Sequence, residues 1–397
     1  MIKPMPSSKD TSTVIFGGWY QRTTLHLSEV YGFLSEGFSK LDLSRKKLKQ
    51  LQESLRLIEV VREVGNLEYV KATTAEGIEI RYYEDGLYIL EIHSSDINKA
   101  QDGLEKYFFG LFSPAIEYLF SLGAPTPKVL ANIKTLHPVV IGVTSRNPSD
   151  FSVKTEEYGE VYSQITSQGI TVYKTPDYIF VVTSKDKEKM AQKLMEMQIF
   201  FREFKDQLEK YLNIHRNIWE EISLIKERQT IRGREITGLR LKLDGYQKTV
   251  NLISSRLNQM NTYIRTRASI SKDLQIEKPL TTLFQYKFEI LDDTHSYIRE
   301  IWKMTTDYLS TAIEALKEIE NRSANNTIKS IQILASIGVI SGILGYLTTS
   351  KLPTITSTGV LYFSLLIAFI WPINLIISFI YRNLEYKLNF PERSKDL

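Results

Sequence analysis

The sequence predicts an α+β cytoplasmic domain, a long helical stalk and two C-terminal transmembrane helices. Three observations predict it. Strand-like runs separated by turn signals are confined to the first 185 residues. From Ser184 to about Lys329 apolar residues recur at spacings of three and four, and Pro279 is the only proline. Two uncharged apolar runs, roughly 331–347 and 359–381, lie close to the C-terminal end. The expected boundaries are 1–185 for the α/β domain, 186–327 for the helical stalk, 328–381 for the two spans and 382–397 for a basic tail.

Composition narrows the function classes. Among 397 residues, 50 Lys and Arg face 46 Asp and Glu, for a net charge of +4. That balance lacks the concentrated basic surface of a nucleic-acid binder. With no cysteine, disulfides, thiolate catalysis and thiolate metal sites are excluded. The stretch Met1–Thr13 is polar, without the apolar core of a signal peptide. No GxxxxGK[ST] phosphate loop, GxSxG elbow or GxGxxG turn is present. The chain therefore reads as a non-enzyme without a cofactor.

In the first 185 residues, β-branched and aromatic runs predict strands at Thr13–Phe16, Tyr69–Thr73, Ile78–Tyr82, Leu87–Ile92, Val139–Val143, Ile170–Tyr173 and Tyr178–Val182. Ala75-Glu76-Gly77 and Glu84-Asp85-Gly86 read as hairpin turns. Asp42–Val64 and Asp96–Phe120 read as helices, with Pro114 breaking or kinking the second.

In the stalk, Met190, Leu194, Met197, Phe201, Phe204, Leu208 and Leu212 form one apolar face. Gly233 and Gly238 mark one expected break, and 270–279 the next. One uninterrupted helix is then expected from Pro279 into the first span, up to Leu352-Pro353. Arg322 and Lys329 precede the spans, Arg382, Lys387, Arg393 and Lys395 follow them, and Lys351 alone occupies the loop. By the distribution of positive charge, both termini are expected on the cytoplasmic side of a cell membrane.

Along that last helix, coiled-coil spacing picks out one stripe: Asp307, Glu314, Asn321, Ala324, Ile331, Ala335, Gly338, Gly342 and Gly345. Small residues on one face let helix backbones approach closely. The stripe fits either simple helix packing or the wall of a narrow pore, with Asn321, Glu314 and Asp307 as oxygen-rich rings at its mouth.

This layout resembles the CorA family of divalent-cation channels. The segment Ile340-Ser341-Gly342-Ile343-Leu344-Gly345-Tyr346-Leu347 is similar to the family's Gly-x-x-Gly-Met-Asn, with Gly342 and Gly345 at the two glycines. The resemblance covers residues 190–385 in layout and about 310–347 in sequence. It implies a homopentamer in a lipid bilayer, a pore lined by the first span, and passive transport of Mg²⁺ or another cation. Tyr346 and Leu347 stand at the outer mouth where the family has Met and Asn. The loop 348–357 carries Lys351 and no acidic residue, so its charge would repel cations. The family's cytoplasmic cation sites suggest Asp292, Asp293 and His295, or Glu156, Glu157 and Glu160. The residues alone favour a solvated acidic patch for each set. The alternative to transport is a non-conducting, membrane-anchored coiled-coil scaffold.

Overall fold

Nine strands hydrogen-bond into one mixed sheet, ordered β2-β3-β4-β5-β1-β6-β9-β8-β7. They are β1 (Thr11–Trp19), β2 (Leu57–Glu63), β3 (Tyr69–Thr74), β4 (Glu79–Tyr83), β5 (Leu87–Ser94), β6 (Val139–Thr144), β7 (Ser163–Ser167), β8 (Ile170–Lys174) and β9 (Tyr178–Thr183). Only the β6–β9 pair is parallel. The computed structural model describes residues 11–20, 26–65, 67–121, 137–228 and 230–347, with scattered positions between 357 and 387. The chain divides into two compact units: Met1–Ile214 with Leu252–Glu300, and His215–Asn251 with Ile301–Leu397.

In the first unit, helices α1 (Leu27–Glu36), α2 (Arg45–Ser54), α3 (Ile97–Tyr107) and α4 (Ser113–Phe120) cover one sheet face. Phe33, Leu34, Leu48 and Phe112 meet Val14, Ile80 and Leu90 there, all buried. Farther along the same face, Tyr158 of the one-turn helix α5 (Thr155–Tyr158) packs on Ile141, Val143, Phe180 and Val182. The opposite face takes the first half of α6 (Glu188–Glu227). A Cβ on Gly17 would lie 2.8 Å from Ile199, and one on Gly142 2.9 Å from Met195. These glycines let the helix sit close against the strands.

Several sequence expectations change here. The expected helix Asp42–Val64 stops at Ser54, and its second half is strand β2. Arg56 turns the chain through the left-handed region at φ 51°. The run Leu57-Ile58-Glu59-Val60-Val61 then favours pairing with β3 over helix. Polar β7 has no sequence signal; a tight turn at Gln168-Gly169, both at positive φ, folds it onto β8. Pro114 falls in the first turn of α4, just after a π-turn at Phe108–Phe112, where its missing N–H costs no helical bond.

The long helices are α6, α7 (Gly233–Asp273), the short α8 (Glu277–Phe284) and α9 (Phe288–Leu347). α7 begins at Gly233, after the short strand β10 (Thr230–Arg232), and Gly238 lies inside it. The last helix begins at Phe288, not at Pro279, because Gln285 adopts φ 61° and ends α8.

The predicted architecture of an α+β domain, stalk and two C-terminal transmembrane helices is corrected: the structure has a nine-stranded mixed sheet with helices. Among the described residues no helix is long and apolar enough to cross a membrane. The expected first span, 331–347, is the end of α9. It falls short of the roughly 20 apolar residues a bilayer core requires, and Gln332, Ser336 and Ser341 interrupt it. The expected second span, 359–381, lies largely outside the described residues. The multi-pass membrane placement, the bilayer as partner and the orientation of the termini are withdrawn with it.

Beneath α6 the sheet carries buried charge. Arg81 Nη2 donates to Glu91 at 2.5 Å, and its Nη1 lies 3.3 Å from Glu196. Burial raises the Glu91 carboxyl above the ordinary carboxylate range despite this partner. Arg267 of α7 donates to both oxygens of Asp85, at 2.7 and 3.1 Å. Its guanidinium lies 4.7 Å from the centre of the Tyr83 ring and 5.2 Å from that of Phe200. The Arg267–Asp85 pair is almost wholly buried. Removing one partner of such a pair costs about 3–5 kcal/mol. Arg267→Met is therefore expected to lower the thermal midpoint sharply, and adding Asp85→Asn to recover part of the loss; an unchanged midpoint for Arg267→Met refutes this. Gly86 turns the β4–β5 hairpin at φ 91°, and a Cβ there would meet the Tyr20 carbonyl oxygen at 2.1 Å. Gly86→Ala is expected to cost about 1–3 kcal/mol or more in denaturant unfolding.

Candidate functional site

The second unit presents the site: the outward stripe of α9. The helix has two seven-residue columns on opposing sides. One is Leu309, Leu316, Ser323 and Ser330. Leu309 and Leu316 are fully buried, and the two serines bond to returning chain. Ser330 Oγ lies 2.7 Å from Tyr381 Oη, and Tyr386 Oη donates to Ser323 Oγ at 2.9 Å. Strand β11 (Glu385–Lys387) pairs antiparallel with β10, and Gly233 N donates to Leu384 O at 3.0 Å.

The other column is Asp307, Glu314, Asn321, Ile328, Ala335 and Gly342, and every member is exposed. Columns offset by two residues lie about 200° apart around a helix. The face held by the chain's own contacts is thus the back of the stripe. Ala324 and Gly338 are also exposed, and Ile331 is half-buried. A Cβ on Gly338 or Gly342 would meet nothing within 4 Å. Ile328 (52 %), Ile333 (61 %), Val339 (61 %) and Ile340 (56 %) leave much of their surface uncovered. Gly345, Tyr346 and Leu347 form the last turn of α9, and Lys351 lies outside the described residues.

Polar contacts fix the back of α9. His215 Nδ1 lies 2.6 Å from Thr305 Oγ1, which donates to Ile301 O at 2.9 Å. The hydroxyl proton is thus committed, so His215 donates from Nδ1. Trp219 and Tyr308 pack with ring centres 4.5 Å apart. Arg240 pairs with Glu320. Such contacts set the rotation of the helix and so decide which face points outward.

The structure does not bring the expected metal ligands together. His295 is fully buried and Asp293 exposed on the same helix. His295 Nε2 lies 2.6 Å from Leu257 O and donates to it, leaving Nδ1 without a hydrogen-bond partner. Among the described residues no group of three His, Cys, Asp or Glu could hold a metal ion. Glu156, Glu157 and Glu160 are exposed on and beside α5.

Neither the Arg81–Glu91–Glu196 cluster nor the Arg267–Asp85 pair was read from sequence. Arg267 and Asp85 stand 182 positions apart, with no local pattern joining them. The exposed basic flank of α2 was also missed, although its Arg-Lys-Lys-Leu-Lys run was a readable signal. Comparison with family models, curated proteins and solved structures finds no match to this chain. The CorA resemblance therefore stands on the residues quoted for it.

Burial lowers the His295 pKa from its usual 6.5. Its depressed folded value means the unfolded chain binds the proton more readily. Its contribution to stability is full above pH 6.5 and is lost as pH falls from there towards the folded value. Thermal midpoints measured across that interval should fall, and His295→Gln should flatten the slope; an unaltered slope contradicts the assignment.

Proposed function

We propose that this protein is a self-assembling helical scaffold, a homo-oligomer whose copies meet along the exposed stripe of α9. One observation carries the reading. The chain's own contacts occupy the opposite column, while Ile328, Ala335, Gly338 and Gly342 on the apolar section of the stripe stay uncovered. A helix apolar on several faces is ordinarily buried, and exposed apolar patches of this kind mark association sites.

The occupant that fits is a second copy. The apolar section complements itself in a parallel arrangement, where Ala335, Gly338 and Gly342 permit close backbone approach. In the polar section, basic Lys303 and Lys317 flank acidic Asp307 and Glu314 at seam positions. An antiparallel pairing centred on the polar section would leave the apolar section uncovered. Burial of apolar surface favours the parallel form. The five-fold stoichiometry is what the resemblance implies.

A second reading, cation handling on the axis of that assembly, is favoured by Asp307, Glu314 and Asn321 sharing the stripe. Its test is calorimetric titration of the oligomer with Mg²⁺. Binding should weaken on Asp307→Asn with Glu314→Gln, and a titration without heat removes this reading.

Light scattering of the purified chain should give a multiple of 45.9 kDa. Ala335→Asp brings like charges together in the seam and should weaken association at least about a hundredfold, whereas Ala335→Ser should not. A monomeric wild-type chain, or an Ala335→Asp oligomer as tight as wild type, would falsify the proposal.

A further inference from the structure

The first unit carries two exposed patches of opposite charge that the α9 contact does not use. The first is the flank of α2. Its opening residues Arg45, Lys46 and Lys47 are all basic, with Lys49 following, and no acid stands in the first turn. Basic groups there oppose the helix dipole, whose N-terminal end is positive. All four are exposed. Arg45 and Lys47 lie over the Phe38 and Tyr118 rings, at 5.7 and 4.3 Å from the ring centres. Among the described residues none of Lys46, Lys47 and Lys49 has an ion-pair partner. Buried Leu48 anchors the helix in the core and aims the charges outward.

The second patch is on and just after α5. Glu156, Glu157 and Glu160 are exposed, and among the described residues only Glu157 has an ion-pair partner, Lys154 at 3.2 Å. Buried Tyr158 anchors this segment as Leu48 anchors α2. The sheet separates the two patches. α2 packs on α1, which touches β2 and β3 at one end of the strand order. Tyr158 packs over β6, β8 and β9 towards the other end.

We infer that neighbouring copies of this chain engage head to tail, the basic flank of α2 in one copy docking on the acidic segment 156–160 of the next. The inference rests on the homo-oligomer proposed above and adds a second contact to it. Charge complementarity selects the pairing: α2 against α2 would set lysines against lysines, whereas α2 against α5 sets them against carboxylates. The carboxylates would also meet the positive end of the α2 dipole. Two different patches joined in this way propagate in one direction and close into a ring when the rotation allows. Because the charges are exposed, the contact is sensitive to salt, which screens beyond about 8 Å at physiological ionic strength.

The test uses the full chain in sedimentation equilibrium at low ionic strength. Lys46→Glu with Lys49→Glu, and separately Glu156→Lys with Glu160→Lys, should each weaken association about tenfold. A chain with all four reversals should regain most of that loss, since the coupling belongs to the pair. All four side chains are exposed, so the variants should fold, which circular dichroism checks. Zero-length amine–carboxylate cross-linking of mixed isotope-labelled and unlabelled chains should join Lys46 or Lys49 of one copy to Glu156 or Glu160 of another. Single-patch variants that associate like wild type overturn the inference. So does loss of anionic-polymer binding by the α2 variant with unchanged self-association, which would assign the flank to a polyanion. If Ala335→Asp still dissociates the wild-type assembly in those cases, the α9 contact stands without this one. A wild-type chain that stays monomeric removes both.

Discussion

The seven-residue repeat of α9 is the constraint on which the proposed assembly depends. A helix turning 100° per residue keeps positions seven apart nearly aligned. The sequence uses that alignment twice. Leu309 and Leu316 place one column in the core of the second unit, and Ser323 and Ser330 extend it as anchor points for the tyrosines of the returning chain. With that column fixed, Asp307, Glu314, Asn321, Ile328, Ala335 and Gly342 face outward. Moving the anchor by one residue would rotate every one of them. The stripe's exposure follows from how the back of the helix is held.

Where local pattern and tertiary pairing agree, the sequence is readable. The runs at Tyr69–Thr74, Leu87–Ser94 and Tyr178–Thr183 alternate or bury completely, and they form strands as expected. The Glu84-Asp85-Gly86 turn is legible because only glycine sits comfortably at its φ. The stripe of α9 is legible for the same reason, since small residues at fixed spacing are a local property. Elsewhere, distant partners decide. Residues 57–63 follow a Lys- and Gln-rich helical pattern and become strand because β3 is there to pair with them. Gln285 ends a helix without glycine or proline, so no sequence signal marks it. Hydrophobicity alone suggested a bilayer for 331–347, but the run is short and punctuated by polar residues.

The two charge arrangements of the first unit contrast in environment and consequence. Arg267 with Asp85, and Arg81 with Glu91 and Glu196, are buried between helix and sheet, where an unpaired partner is costly. They fix which turn of α6 and α7 lies over which strand. The lysines of α2 and the glutamates near α5 are bathed in solvent and worth little singly. Their separation towards opposite ends of one sheet makes them complementary only between copies. Charge thus sets internal register in one place and neighbour choice in the other.

The pairing of Thr230–Arg232 with Glu385–Lys387 has a consequence for biosynthesis. It joins the start of α7 to a segment more than 150 positions downstream, so a nascent chain lacks one of its two strands until residues 385–387 have been made. During elongation, the back of α9 has no tyrosines to receive Ser323 and Ser330. The second unit can mature only after that segment has been made, while strands β1 to β9 are all available much earlier.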